Sequence, residues 1–358
     1  MSLFIIGSPW HAALANAIIE REEIKNPSII VEEISSSSLE QILGILKHPT
    51  LAIFQHENTR FESIKKLGIF RFIRNMHLEF ERIENSCKYL NQSQTRKVYY
   101  FNFYSPITRK IIKSLPKALS KREVIRVEDG ICDYFEFNFI NHKKPLLLIK
   151  NILATLLIKS DLYRRRNSKL ENKTSSYYCF FPEKITQRWK SKKLIALLEY
   201  ATEIRKNFSI TEEAIVDDSE SLIIGQTLFE DGIATLEQEV RLYKTASDTL
   251  PGPVKLKAHP RTTRLKRDAI RAAGIEILET KFPAENLIAT RPYHSIVGMW
   301  SNTVIYSAPL FHIRSFTMNH HLIEQLSTEN SHLKKIHQTL SEKFPEFYID
   351  YRVKMTSP

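Results

Sequence analysis

Short apolar runs alternate with stretches of helical periodicity along most of the chain. LFII (3–6) precedes HAALANAIIERE (11–22), with the turn GSPW between them. SIIVEEI (28–34) follows, then a serine run at 35–38 that can cap SLEQILGILKH (38–48), then TLAIFQ (50–55). A basic amphipathic helical pattern fills about 59–90. KVYYFNF (97–103) and EVIRV (123–127) predict two more strands, separated by a helix beginning after Pro106. Such alternation implies a mainly parallel sheet wrapped by helices.

Between about 143 and 210 basic helical pattern takes over, including KSKKLIALLEYATEIRK (190–206). The alternation then resumes with SLIIGQ (221–226), a helix at 236–248, VKLKAHP (254–260), a helix near 263–273, and IEIL (275–278). YHSIVGM (293–299) and NTVIYSA (302–308) read as strands, and 320–343 as helical. The pattern describes an α/β chain of two Rossmann-like halves with a helical connection. Ligand clefts in such sheets lie past the C-terminal strand ends, and between the halves where there are two.

The 358 residues suit two domains, and 42% hydrophobic content supports real cores. Lys+Arg of 52 against Asp+Glu of 40 leaves a net charge of +12, which points to an anionic partner. The three widely spaced cysteines, Cys87, Cys132 and Cys179, form neither a zinc motif nor a disulfide framework, so a reducing compartment is expected. MSLFIIGSPW lacks the features of a signal peptide and reads as a first buried strand. PLLLIKNILATLLI (145–158) is too short to span a bilayer. Its flanking Lys143, Lys144, Lys159 and Arg164 to Arg166 would suit either an anionic membrane surface or the solvated ends of a core helix.

Chemistry-bearing residues gather after the strands. Glu128-Asp129-Gly130 directly follows EVIRV, where repulsion between adjacent carboxylates is expected to raise one of them toward a general base. A second triplet, Glu230-Asp231-Gly232, follows GQTLF rather than a strand, and Asp231 reads as a helix-start residue. Lys257, His259 and Arg261 alternate around Pro260, so all three would point to one side unless a bend at Pro260 alters this, and they could hold phosphate or form an ordinary basic strand edge. Ser301, Asn302 and Thr303 form either an ordinary polar turn or one of the kind that binds phosphate oxygens. Ser8, Trp10 and His11 follow the first strand near the expected cleft, where they could touch substrate, although His11 could instead cap a helix. No P-loop, no GxGxxG after a strand, no HExxH, no GxSxG and no Asp-x-Asp is present.

The ordered set VEDG (127–130), SLIIGQTLFEDGIATLEQEVRLY (221–243), VKLKAHPR (254–261) and IVGMWSNT (296–303) resembles bacterial sialyltransferases of the lipooligosaccharide and capsule polysialyltransferase type. The resemblance implies a GT-B fold: residues 1–185 on the acceptor side with the catalytic base, 186–325 on the CMP-sugar side, and a C-terminal helical segment 326–358, with the Rossmann-like domains facing a central cleft. It also implies inverting, metal-independent transfer from CMP-sialic acid to a sugar hydroxyl, with no cofactor required. One of Glu128 or Asp129 would be the base, the middle position being favoured. His259 would bind or protonate the departing phosphate, Ser301 would hold it, and Gln226 and Lys257 would contact nucleotide or phosphate. This chain departs from the family's Ser-Ser/Thr pair, because Asn302 separates Ser301 from Thr303. The acceptor would be an anionic bacterial surface glycan, with the enzyme in the cytoplasm or peripheral on the anionic inner membrane.

Two alternatives remain at this level. A CMP-Kdo-dependent Kdo transferase shares an EDG-like loop and an HP dipeptide, although GICDYF differs from the Phe-x-Arg type sequence usual there. A polyanion-binding protein without activity would use the same charge, with Tyr99, Tyr100, Phe101 and Phe103 stacking on bases. No RNA-binding motif is present, so nucleic acid is not the expected partner.

Overall fold

The computed structural model describes residues 1–33, 36–55, 74, 78, 81, 85, 95–102, 105, 108–109, 111–112, 122–135, 168–208, 219–291, 293–325, 331–347 and 349–350. The apolar stretch 145–158 with its basic flanks lies outside these residues, as does most of the amphipathic stretch 59–90, of which 74, 78, 81 and 85 are helical. The chain forms two units, Met1–Asn207 and Phe208–Pro358.

The first unit is built on a seven-stranded sheet, all pairs parallel, in the order β3-β2-β1-β4-β5-β6-β7. Its strands are β1 (Ser2–Ile6), β2 (Ser28–Glu33), β3 (Thr50–Gln55), β4 (Lys97–Tyr100), β5 (Glu123–Val127), β6 (Thr174–Cys179) and β7 (Lys193–Ala196). Leu3, Phe4, Ile5 and Ile6 of β1 have no exposed surface, as expected of a central parallel strand covered on both faces. Helix α1 (Pro9–Arg21) starts where Ser8 accepts the His11 N–H and Pro9 supplies a preset φ. Helix α2 (Ser36–Ile45) belongs to the same unit, as does α3 (Ala201–Phe208) up to Asn207.

Residues 143–210 were expected to be mainly helical, yet they contribute β6 and β7. KSKKLIALLEYATEIRK is therefore an edge strand, a single 3₁₀ turn at Leu197–Tyr200 and α3 in succession. Pairing with β6 overrides the helical preference of its Leu and Ala residues. The first unit accordingly runs past residue 185 to Asn207.

The second unit carries a six-stranded parallel sheet, β10-β9-β8-β11-β12-β13. In chain order its elements are β8 (Ser221–Ile224), α4 (Leu236–Thr249), β9 (Val254–Lys257), α5 (Arg264–Ala272), β10 (Glu276–Ile277), α6 (Ala284–Thr290), β11 (Ser295–Gly298), α7 (Asn302–Tyr306), β12 (Ser315–Thr317), α8 (Asn319–Gln325), α9 (Ser331–Lys343) and β13 (Ile349–Asp350). Period-two alternation fills both faces: Ile223, Leu256, Val297 and Phe316 join one core with Leu242 and Ile270, whereas Leu222, Ile224 and Ile296 join the other with Leu287 and Ile288. NTVIYSA, read as a strand, is instead α7 running into a π-helical turn at Ser307–Phe311. Its β-branched residues are buried along a helix whose Thr303 is tied to Glu285, so tertiary packing outweighs strand propensity.

Candidate active site

In both sheets the chain starts at a central strand and the strand order reverses beside it, at β1/β4 and β8/β11. Crevices for ligands open at the carboxyl ends of strands next to such reversals. In the first unit, Gly7 to His11 follow β1, Phe101 follows β4, and Glu128-Asp129-Gly130 follow β5. The chain thus brings His11 and Asp129 together across 118 residues, with His11 Nε2 at 2.6 Å from Asp129 Oδ1. The Gly7 N–H donates to His11 Nδ1 at 3.0 Å. A ring nitrogen that accepts carries no proton, so Nε2 is protonated and donates to the carboxylate. The His11 side chain is only 3% exposed, whereas that of Asp129 is 40% exposed. Stacking on Phe101, with centroids 4.7 Å apart, fixes the imidazole plane.

The two carboxylates of the first triplet have different environments. Glu128 has no exposed surface, and its carboxylate accepts from the Tyr134 hydroxyl and from the Phe180 N–H at 2.8 Å. Asp129 is held by its own loop: its N–H donates to Asp133 Oδ2 at 3.2 Å, and Asp133 pairs with the buried Arg126. The Arg126 guanidinium lies over the rings of Trp189 (4.7 Å) and Tyr177 (5.3 Å). Gly130, at φ +145°, lets the chain leave the strand where a side chain would be strained. Repulsion within the triplet was expected to raise one carboxyl. Burial does oppose ionisation of Asp129, but His11 and then Arg126 outweigh it and hold the carboxyl below its ordinary value. A base with a low pKa remains ionised at neutral pH.

Of the other residues expected on the acceptor side, Ser8 caps α1, and Trp10 is buried against Phe180 at 5.7 Å between centroids. Gly7, Arg126 and Asp133 were not among the residues expected at this site. The nearest local signal was Asp133, four residues beyond Asp129 and able to bond back to its N–H.

In the second unit, Gln226 follows β8, His259-Pro260 follow β9 and Ser301 follows β11. Gly225 makes the close approach possible: a Cβ there would lie 3.0 Å from Lys257 O and 3.3 Å from Ala258 Cα. His259 Nδ1 accepts the Arg261 N–H at 3.1 Å, which leaves Nε2 as the protonated donor. Burial, reinforced by Arg261 and Lys266, pushes its pKa down to about 4, so the imidazole is neutral near pH 7.

The expected one-sided row of Lys257, His259 and Arg261 is not formed, because β9 ends at Lys257. Lys257 Nζ donates to Thr280 O at 3.2 Å, and burial lowers its pKa, with Arg267 adding to the effect. Arg261 forms a fork on Asp231 and Thr227, both at 3.0 Å. Among the three turn residues, Ser301 and Asn302 are half-buried at the start of α7, and the Ser301 hydroxyl makes no capping bond. Thr303 is buried, and its hydroxyl donates to Glu285 Oε1 at 2.6 Å. Thr303 is therefore turned to a structural partner.

The second triplet does not start a helix either. The N-cap of α4 is Thr235, which forms a capping box with Gln238. Glu230 and Asp231 instead clamp the 227–231 turn. Lys266, 1% exposed, reaches Glu230 Oε2 (2.6 Å), Glu239 Oε1 (2.9 Å) and Gln226 O (2.7 Å), while Asp231 receives Arg261. Among the described residues no group of three or more His, Cys, Asp or Glu side chains could hold a metal ion. None of their helices is long and apolar enough to cross a membrane.

Residues 2–320 match the family model described as Alpha-2,8-polysialyltransferase (POLYST). No curated protein matches the sequence. Among solved structures, the S. aureus MnaA–UDP complex is similar at TM-score 0.53 and 10% identity, over 88% of this chain and 78% of that one. The UDP-GlcNAc 2-epimerase of Methanocaldococcus jannaschii is similar at TM-score 0.51 and 14% identity, over 97% and 91%. These likenesses are of fold. CalG4, the calicheamicin glycosyltransferase, is also similar, with TM-score 0.44, 11% identity and coverage of 95% and 83%.

Proposed function

The chain belongs to the alpha-2,8-polysialyltransferase family, and from that premise we propose how its residues divide the work of sialyl transfer. It is a glycosyltransferase with a parallel α/β fold. The donor is CMP-sialic acid. Asp129 takes the proton of the acceptor hydroxyl as that oxygen bonds to the anomeric carbon, and CMP leaves with the electron pair of the broken C–O bond. Attack opposite the leaving group inverts the anomeric centre.

The observation that carries this assignment is the contrast within the triplet. Asp129 is ionised, partly exposed and oriented by His11, whereas Glu128 is buried and committed to Tyr134 and Phe180. His259 serves the departing phosphate. Its Nε2–H donates to a phosphate oxygen, and the anion's charge raises the low pKa of the ring toward proton donation. Ser301, Asn302 and Gln226 supply further donors to the CMP phosphate and nucleotide. A monophosphate donor needs no cation to bridge two phosphates, so transfer proceeds without metal or cofactor. The acceptor is an anionic bacterial surface glycan, favoured by the net charge of +12, and the enzyme works in the cytoplasm, peripheral to the anionic inner membrane.

The test is CMP release from CMP-sialic acid in EDTA, with lactoside and sialyl-lactoside acceptors. Asp129→Asn is expected to lower kcat by about 10²–10⁴-fold, the range of general-base catalysis. His259→Ala is expected to cost about 10²-fold, and Asp231→Ala far less. Full activity in Asp129→Asn would remove the base assignment, and loss of all activity in EDTA would remove metal independence.

A further inference from the structure

We infer that His11 is the positioning residue of the base: its ring, locked as the Nε2–H tautomer by the Gly7 backbone, holds the Asp129 carboxylate through Oδ1 in the orientation from which it takes the acceptor proton. This rests on the reading of Asp129 as the base. The Gly7 N–H can only donate, so a proton on Nδ1 would set two donors face to face. The contact keeps Nε2 of His11 pointing at Asp129, and Phe101 prevents the ring from turning away. Gly7 is itself confined, since a Cβ there would come within 2.9 Å of Glu32 O.

Among the described residues, the charged groups near the pair have partners of their own. Arg126 is engaged by Asp133, which also accepts the Asp129 N–H. The Glu32 carboxylate, on the neighbouring strand, accepts from Ser105 and Thr108. Among the described residues, His11 is therefore the group whose removal acts on the Asp129 carboxylate most directly. A purely structural histidine, buried and stacked, would show the same exposure without governing the titration of Asp129, and this difference makes the role measurable.

The experiment compares the pH profiles of kcat/KM for wild type, His11→Leu, His11→Gln and Asp129→Asn, with thermal unfolding of each. His11→Leu is expected to lose about 10²-fold, the lower end of general-base effects, and to move the acid limb to higher pH. His11→Gln retains a neutral N–H donor and is expected to stay within about 10-fold of wild type with the limb near its original place. A His11→Leu profile parallel to wild type, alongside an inactive Asp129→Asn, would overturn the role of His11 alone. Unchanged activity in Asp129→Asn would overturn the base assignment and this inference with it. If His11→Leu does not fold, ¹⁵N spectra of the wild-type imidazole decide. A neutral ring with protonated Nε2 supports the lock, and a protonated Nδ1 at neutral pH overturns it.

Discussion

Replacing Glu128 with alanine removes the buried acceptor of the Tyr134 hydroxyl and the Phe180 N–H, whereas replacing Asp129 with asparagine leaves an oxygen to accept from His11. Leaving two buried donors unsatisfied costs about 1–3 kcal/mol each. Glu128→Ala is therefore expected to lower the urea midpoint strongly, and Asp129→Asn to lower activity while the midpoint stays near wild type. A denaturant titration beside the transfer assay checks this separation. His259 adds a pH signature. Its folded pKa of about 4 lies below the ordinary 6.5, so the unfolded chain binds more protons in that window. Stability should thus fall as pH drops from 6.5 toward 4, and His259→Asn should flatten that slope in unfolding curves measured across it. The sequence could name Asp129 and His259, because each follows an apolar run. It could not name Gly7 or Lys266 as their supports, because those contacts join residues brought near only by the sheet.

At the scale of elements, the turns after β8 and β9 touch through Gly225. An alanine there must push backbone aside at Lys257 and Ala258, and overpacking of this kind costs about 1–3 kcal/mol. Because the displaced atoms lead into His259, Gly225→Ala is expected to weaken CMP binding by about tenfold or more, beyond what its loss of stability explains. Calorimetric titration with CMP, at a temperature where the variant remains folded, measures it. The strand–helix alternation made most of both sheets legible. It failed where composition and environment disagree. NTVIYSA is rich in β-branched residues yet packs as a helix, and KLIA carries helix formers yet closes the edge of a sheet. The short β12 and β13 carry too little pattern to be seen, at three and two residues.

For the whole molecule, the charge of +12 predicts a dependence on ionic strength. Long-range attraction for an anionic acceptor is screened beyond about 8–10 Å at 0.1–0.15 M salt. Raising salt should therefore raise the acceptor KM with little change in kcat, and initial rates at several salt concentrations test it. The position of β1 has a consequence for how the chain is made. Its Leu3–Ile6 run is flanked by β2 on one side and by β4 on the other, and β4 begins only at Lys97. During synthesis one apolar edge of β1 stays unpaired until the chain has emerged past Lys97. Loop closure over such separations is slow, and exposed apolar edges recruit other chains. Nascent chains stalled before Lys97 should consequently aggregate or occupy chaperones, and those extended through β5 should be released.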